Sequence, residues 1–287
     1  MVQDVSWKKK EYNDDDIIVV VGERFKNFNT NEIGVKVVGY EAAASIISKG
    51  GVQGAYFVPG QGLTEEAEQA LFNLARKYKI ADMFHVWEKY YTQKRAVQSV
   101  SHKHKKKNQK LTSPKKIDER RYISELLLDE NSDMIADHDT GMHLQGMVLI
   151  ESSRQMFIAV GEKYYAGKSA PKGGNYVIDH MYVDFVNFVF PLPVSIQLDV
   201  CTINRKSRRK TIFGTNVNFF QNNSCVANIR IGFTVMDSVM FGKTESKLAK
   251  NSLSGFRVAM RNFHKSTPHG SSFPVSEPHL ENPYAEL

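Results

Sequence analysis

Cysteine is scarce in this 287-residue chain: Cys201 and Cys225 are the only two. That argues against a disulfide framework and leaves too few thiolates for a cysteine-based zinc site. No metal and no other cofactor is expected. No apolar run reaches the roughly eighteen residues that a transmembrane helix needs, so no membrane partner is expected. The opening MVQDVSWKKKEYNDDD is charged and lacks the apolar segment of a secretory signal, which makes a cytoplasmic location the default expectation. The glycine turn Gly60-Gln61-Gly62 has neither a P-loop lysine nor the fuller dinucleotide fingerprint around it.

What is present is concentrated in residues 136–156, ADHDTGMHLQGMVLIESSRQM. Gly146 opens a segment in which Met147, Ile150 and Phe157 fall near one face at helical spacing, with Val148, Leu149 and Ile158 filling much of the rest. A helix that is apolar on most sides is expected to be buried. Glu151, Arg154 and Gln155 on such a helix need a reason, because an unpaired buried charge costs several kcal/mol.

The order Asp137-His138, Gly141, His143, Gly146-Met147, Leu149-Ile150, Glu151, Ser152-Ser153 and Arg154-Gln155 resembles the signature of the A-factor biosynthesis (AfsA-type) hotdog family. More distantly it resembles the His…Gly…Glu pattern of the hydroxyacyl carrier-protein dehydratases, which share the fold. Upstream, VSHKHKKKNQKLTS is similar to the family's opening segment, where a His-Lys pair precedes an Asn and a short strand. The resemblance runs from about Gln98 to Asp237. It implies an α+β hotdog, an antiparallel sheet wrapped around a central helix. It also implies transfer of a β-ketoacyl group from acyl carrier protein, or from acyl-CoA, to a small hydroxylated acceptor such as dihydroxyacetone phosphate, en route to a γ-butyrolactone or related signal. Family synthases resemble tandem hotdogs, whereas this chain holds one signature. A single copy predicts a homodimer with each tunnel built at the interface, and leaves the acceptor open.

Charge is uneven. The formal net charge is +7, and much of the excess lies between Lys94 and Arg121, including Lys103, Lys105, Lys106 and Lys107. Those four are candidates for docking an acidic carrier protein or phosphates. A solvated loop is the alternative. Nucleic acid is disfavoured, because no aromatic residues interleave the cluster as a stacking platform requires.

Along the chain, residues 1–15 read as a disordered lead and 16–93 as a small α/β module. Residues 94–241 hold the hotdog, and 242–287 form an irregular tail rich in Ser, Pro, His and Asn. In the module, 17–21 is an unbroken apolar run fit for a buried strand, with further strands over 34–40 and 54–58. Thr64 is placed to cap a helix whose first turn carries Glu65 and Glu66. Those carboxylates would repel a phosphate at the glycine turn, so the module reads as structural or partner-docking. A helix over 81–91, a strand over 122–128 and strands over 181–190, 194–203, 211–221 and 224–235 follow. Asn222-Asn223 supplies the last hairpin turn. Cys201 and Cys225 read as core residues on these strands.

The resemblance implies that Glu151 is the acidic residue on which catalysis depends, acting as a general base. Glu151–Arg154 at i,i+3 is the competing ion-pair reading. The amides at Gly146 and Met147 would form an oxyanion site at the helix start. Arg154 would hold Glu151 or bind phosphate on the acceptor or pantetheine arm, and Gln155 would orient Glu151. His138 and His143 are acid/base or loop-locking candidates, Glu151 with either suiting a dehydratase. A thioesterase or a non-catalytic acyl-binding protein stays open. Ser152 and Ser153 read as packing residues.

Overall fold

The computed structural model describes residues 17–28, 35–52, 54–87, 101–136 and 142–266. Strand β1 (Ile17–Val21) is central in a parallel sheet, between β2 (Val35–Gly39) and β3 (Tyr56–Pro59). Its β-branched run IIVVV suits a strand covered on both faces. Ile18 and Val20 pack with helices α1 (Tyr40–Ser48) and α2 (Glu65–Lys77). Val19 and Val21 belong instead to the larger core of the chain's second half.

Thr64 caps α2, its hydroxyl accepting from the Ala67 amide at 3.1 Å, with Glu65, Glu66 and Glu68 in the first turn. Beyond α2 the chain makes a 3-10 turn at Ala81–Phe84 and is helical at 85–87. The rest of the helix expected over 81–91 lies outside the described residues. Phe84 stacks on Phe57 at 4.7 Å and meets Trp87 at 5.3 Å, closing this smaller core.

The second unit is a six-stranded antiparallel sheet. Its strands are β4 (Lys115–Lys116), β5 (Arg121–Glu125), β6 (Asn175–Phe185), β7 (Ser195–Ser207), β8 (Lys210–Gln221) and β9 (Ser224–Met236). Their order is β4-β5-β7-β8-β9-β6. Asn222 and Asn223 turn β8 into β9 with φ of 50° and 62°, the left-handed region that Asn tolerates. A single turn, α3 (Asp133–Ala136), precedes the long helix α4 (Gly146–Val160), which ends in a π-helical turn at Gly161–Tyr165. The sheet covers α4: Phe157 stacks on Phe233 at 4.3 Å, and Phe233 on Phe213 at 5.1 Å. Ser152 and Ser153 are fully buried in that interface. Their hydroxyls donate to the Val148 and Leu149 carbonyls at 2.7 and 2.9 Å, so they enter the core without an unmet donor.

The glycine turn joins the two units. The Gln61 amide donates to the Pro191 carbonyl at 2.9 Å. Its side-chain oxygen accepts from the Leu128 amide at 2.9 Å, and its Nε2 donates to the Leu126 carbonyl at 3.0 Å. Gly62 has φ of +98°, and a Cβ there would lie 2.7 Å from the Phe25 ring. The turn is a staple between units.

Two expectations change. Cys201 and Cys225 are exposed rather than in the core. Each lies beside a break in strand register, between Val200 and Thr202 and between Phe219 and Phe220, where inward-outward alternation shifts. The tail expected to be irregular from residue 242 is helical through Ser266, as α5 (Ser238–Ser266). Asp237 starts it, its carboxylate accepting from the Met240 amide at 2.7 Å.

Candidate functional site

Helix α4 opens behind Gln145, which is extended and makes no side-chain cap. The first amides of any helix lack an intrahelical acceptor, so those of Gly146 and Met147 are available to an oxygen at this end. Gly146 is glycine for a packing reason: a Cβ there would lie 2.6 Å from Cζ of Phe185 at the end of edge strand β6. Around this opening Met142, Met147, Phe185, Val186 and Phe188 are exposed, Met147 to 59% and Phe188 to 63%. His143 is also exposed, its ring 4.7 Å from that of Phe188. Its described ring contact is with Phe188 and not with Glu151. His138, with Asp137 and Gly141, lies outside the described residues.

Glu151 sits one turn beyond Met147 on the same face. Three donors converge on its Oε1: Lys103 Nζ at 2.6 Å, Gln155 Nε2 at 3.0 Å and Arg154 Nη1 at 3.5 Å. Gln155 is fully buried and does more than orient Glu151. Its Oε1 accepts from the Lys110 amide at 2.9 Å and its Nε2 donates to the Asn108 carbonyl at 2.9 Å. The basic segment is thereby laid along α4.

That arrangement engages the four lysines expected to dock a carrier. Besides Lys103 on Glu151, Lys105 and Lys107 bind Asp133 at 3.0 and 2.7 Å, and Lys106 pairs with Glu65 at the start of α2. Lys107, Asn108 and Lys105 together hold the Asp133 carboxyl well below the usual carboxylate range. Sequence reading placed Lys103 in a surface and missed it as the partner of Glu151. The available signal was a carboxylate on an apolar helix that required a cation, and Arg154 at i,i+3 satisfied that requirement first. Asn108 and Phe185 carried no signal, since each acts through chain path alone.

Among the described residues an apolar gap of about 10 Å³ lies behind α4, lined by Phe157, Val160, Tyr165, Leu198, Phe213 and Phe233 among others. Tyr122 donates to the Tyr165 hydroxyl at 2.9 Å beside it. Burial, then that bond, pushes the Tyr122 hydroxyl above its ordinary range. This gap does not admit an acyl chain. Among the described residues no group of three His, Cys, Asp or Glu converges as a metal-ligand set.

An antiparallel sheet wrapped on a buried helix, with the helix start open at the sheet edge, defines a hotdog. Residues 92–237, a little over half of the chain, match the profile of the A-factor biosynthesis hotdog domain, and the chain belongs to that AfsA family. No curated protein matches it. Among solved structures it is similar to a mutant thioesterase from Pseudomonas aeruginosa, at 9% identity and TM-score 0.33, over 44% of this chain and 81% of that one. It is similar to a thioesterase from Haemophilus influenzae at 11% identity and TM-score 0.33, over 44% and 78% of the two chains. An uncharacterized protein from Pyrococcus horikoshii aligns at 14% identity and TM-score 0.34, over 50% and 95%. Likeness at this level assigns no residue and no reaction.

Proposed function

We propose that this protein processes acyl thioesters, transferring a β-ketoacyl group from acyl carrier protein or acyl-CoA to a small hydroxylated, phosphorylated acceptor of the dihydroxyacetone phosphate type. One observation carries the reading: the amides at Gly146 and Met147 open onto an exposed apolar collar, with the Glu151 carboxylate one turn further along the same face. The thioester carbonyl oxygen sits against those amides, whose positive helix end stabilises the oxyanion. Glu151 takes the proton of the acceptor hydroxyl as its oxygen bonds to the carbonyl carbon. Collapse of the intermediate breaks the carbon–sulfur bond, and the departing thiolate takes a proton. Lys103 and Arg154, already beside Glu151, supply cations for the acceptor phosphate.

The acyl chain needs a place that the about 10 Å³ interior gap does not provide. A homodimer formed along edge strand β6 supplies it, covering Ile178, Tyr182 and Phe185, which are exposed on that strand. A second reading is favoured by the three donors on Glu151 Oε1: the carboxylate fastens the basic segment to α4, and the protein binds acyl groups without turnover.

The test is the intact mass of a β-ketoacyl carrier protein incubated with this protein, with and without dihydroxyacetone phosphate. Deacylation that requires the acceptor supports transfer. An unchanged carrier in both samples removes this donor and acceptor pair.

A further inference from the structure

Helix α5 is exposed at every residue from 249 to 259. Along it Ala249, Leu253, Phe256 and Met260 follow at intervals of four, three and four residues, which places them on one face. Leu253 is 68% exposed and Phe256 58%, so this apolar face has no cover from the described chain. Beside it runs a second stripe of Lys243, Lys247, Lys250, Arg257 and Arg261, each three or four residues from its neighbour or two such steps away. Glu245 is the one acidic residue of the helix.

The start of α5 adjoins another cationic element. The β7–β8 hairpin carries Arg205, Lys206 and Arg208, all exposed. Arg209 in its turn binds Asp237 at 3.3 Å, and the Asp237 amide donates to the Arg209 carbonyl at 2.9 Å. Hairpin tip and helix therefore leave the sheet at the same end. These charges differ from those of the 103–107 segment, which are engaged with Glu151, Asp133 and Glu65.

We propose that α5 is a surface-seeking helix that lays its Ala249–Leu253–Phe256–Met260 face into an anionic lipid bilayer, with the flanking lysines and arginines at the headgroups. The cationic flank selects a negative surface, and the exposed apolar face selects one with an apolar interior. Among the described residues no helix, α5 included, is long and apolar enough to cross a membrane, so α5 would lie on the surface. Self-pairing along the same stripe would cover Leu253 and Phe256 but would leave the flanking Lys247, Lys250 and Arg257 without a counter-charge, so it fits less well. A nucleic-acid backbone would use the cations and leave Leu253 and Phe256 without a role.

The test sediments the full chain with phosphatidylcholine vesicles, with and without phosphatidylglycerol, and with duplex DNA as a competitor. Binding is expected only with phosphatidylglycerol, weakening with salt. Each basic residue contributes about fivefold to such partitioning, so Lys247→Glu/Lys250→Glu/Arg257→Glu is expected to reduce it by at least about a hundredfold. These side chains are exposed, so thermal unfolding of the triple variant should match the parent. In Phe256→Trp, tryptophan emission shifts to the blue on anionic vesicles. The proposal is overturned if anionic vesicles bring nothing down, or if the triple variant binds equally. It is also overturned if the Phe256→Trp emission stays fixed while protein sediments, if DNA binds and vesicles do not, or if α5 is buried only by self-association.

Discussion

Lys103 Nζ lies 2.6 Å from Glu151 Oε1, so the basic segment and the buried helix meet at the residue proposed to act as base. Both side chains keep some solvent, 27% and 17% exposed, and such a pair is worth only about 1 kcal/mol to stability. Glu151→Gln should therefore lower the melting temperature by a few degrees at most while reducing acyl transfer at least about a hundredfold. Acyl-carrier mass spectrometry on the variant checks it. Transfer at the parental rate would leave Glu151 as a fastening residue.

Gln155 is a different case. Replacing it with Leu leaves the Lys110 amide and the Asn108 carbonyl without the partner they now share. Two such losses in a buried place cost about 2–5 kcal/mol together. Hydrogen exchange should accelerate over residues 105–110 in Gln155→Leu, and calorimetry should show the lower stability. Unchanged protection there would mean that the segment is held by its lysines alone.

Gln61→Ala tests the joint between the units. The substitution orphans the Leu128 amide and the Leu126 carbonyl, at about 1–3 kcal/mol for each group. The expected result is a lower urea midpoint with one transition retained, because β1 still belongs to both cores. Two separated transitions would show that the joint rests on this side chain.

Glu125 gives a pH signature. Burial pushes its carboxyl up, partly offset by the Ser195 hydroxyl at 3.1 Å. A raised carboxyl binds its proton more tightly folded than unfolded. Its contribution is full below the free value of about 4.3 and is lost as pH rises through the folded one. Glu125→Gln should be more stable than the parent at neutral pH, and the difference should vanish below about pH 4. Asp133 acts in the opposite sense: held down, its contribution disappears as pH falls below about 3.9. Denaturation curves from pH 3 to 7, on the order of one per unit, separate the two. A parental pH profile in Glu125→Gln would remove the burial argument.

Patterned segments could be read before folding. The run at 17–21, the apolar segment opened by Gly146, and Asn222-Asn223 each state their conformation locally. Ser152 and Ser153 were legible as packing residues for the same reason, since a helix supplies its own acceptors for their hydroxyls. What escaped depends on chain path. Lys103 reaches Glu151 through the path of a segment held by both Gln155 and Asp133, and nothing near Lys103 announces that. Cys201 and Cys225 were misplaced because register breaks reset the alternation beside them. Helix α5 was masked by its serines and Gly255, although its two stripes are regular once a helical period is laid over them.

The staple at Gln61 also sets an order of events during synthesis. Its partners Leu126 and Leu192 lie 65 and 131 residues downstream. When β1 leaves the ribosome, the half of its surface formed by Val19 and Val21 has no cover, and the Gln61 amide has only water as an acceptor until Pro191 is made. The amino-terminal unit thus waits, half-dressed, for a sheet not yet translated. A nascent chain stalled before that point would present an apolar strand to the cell's chaperones.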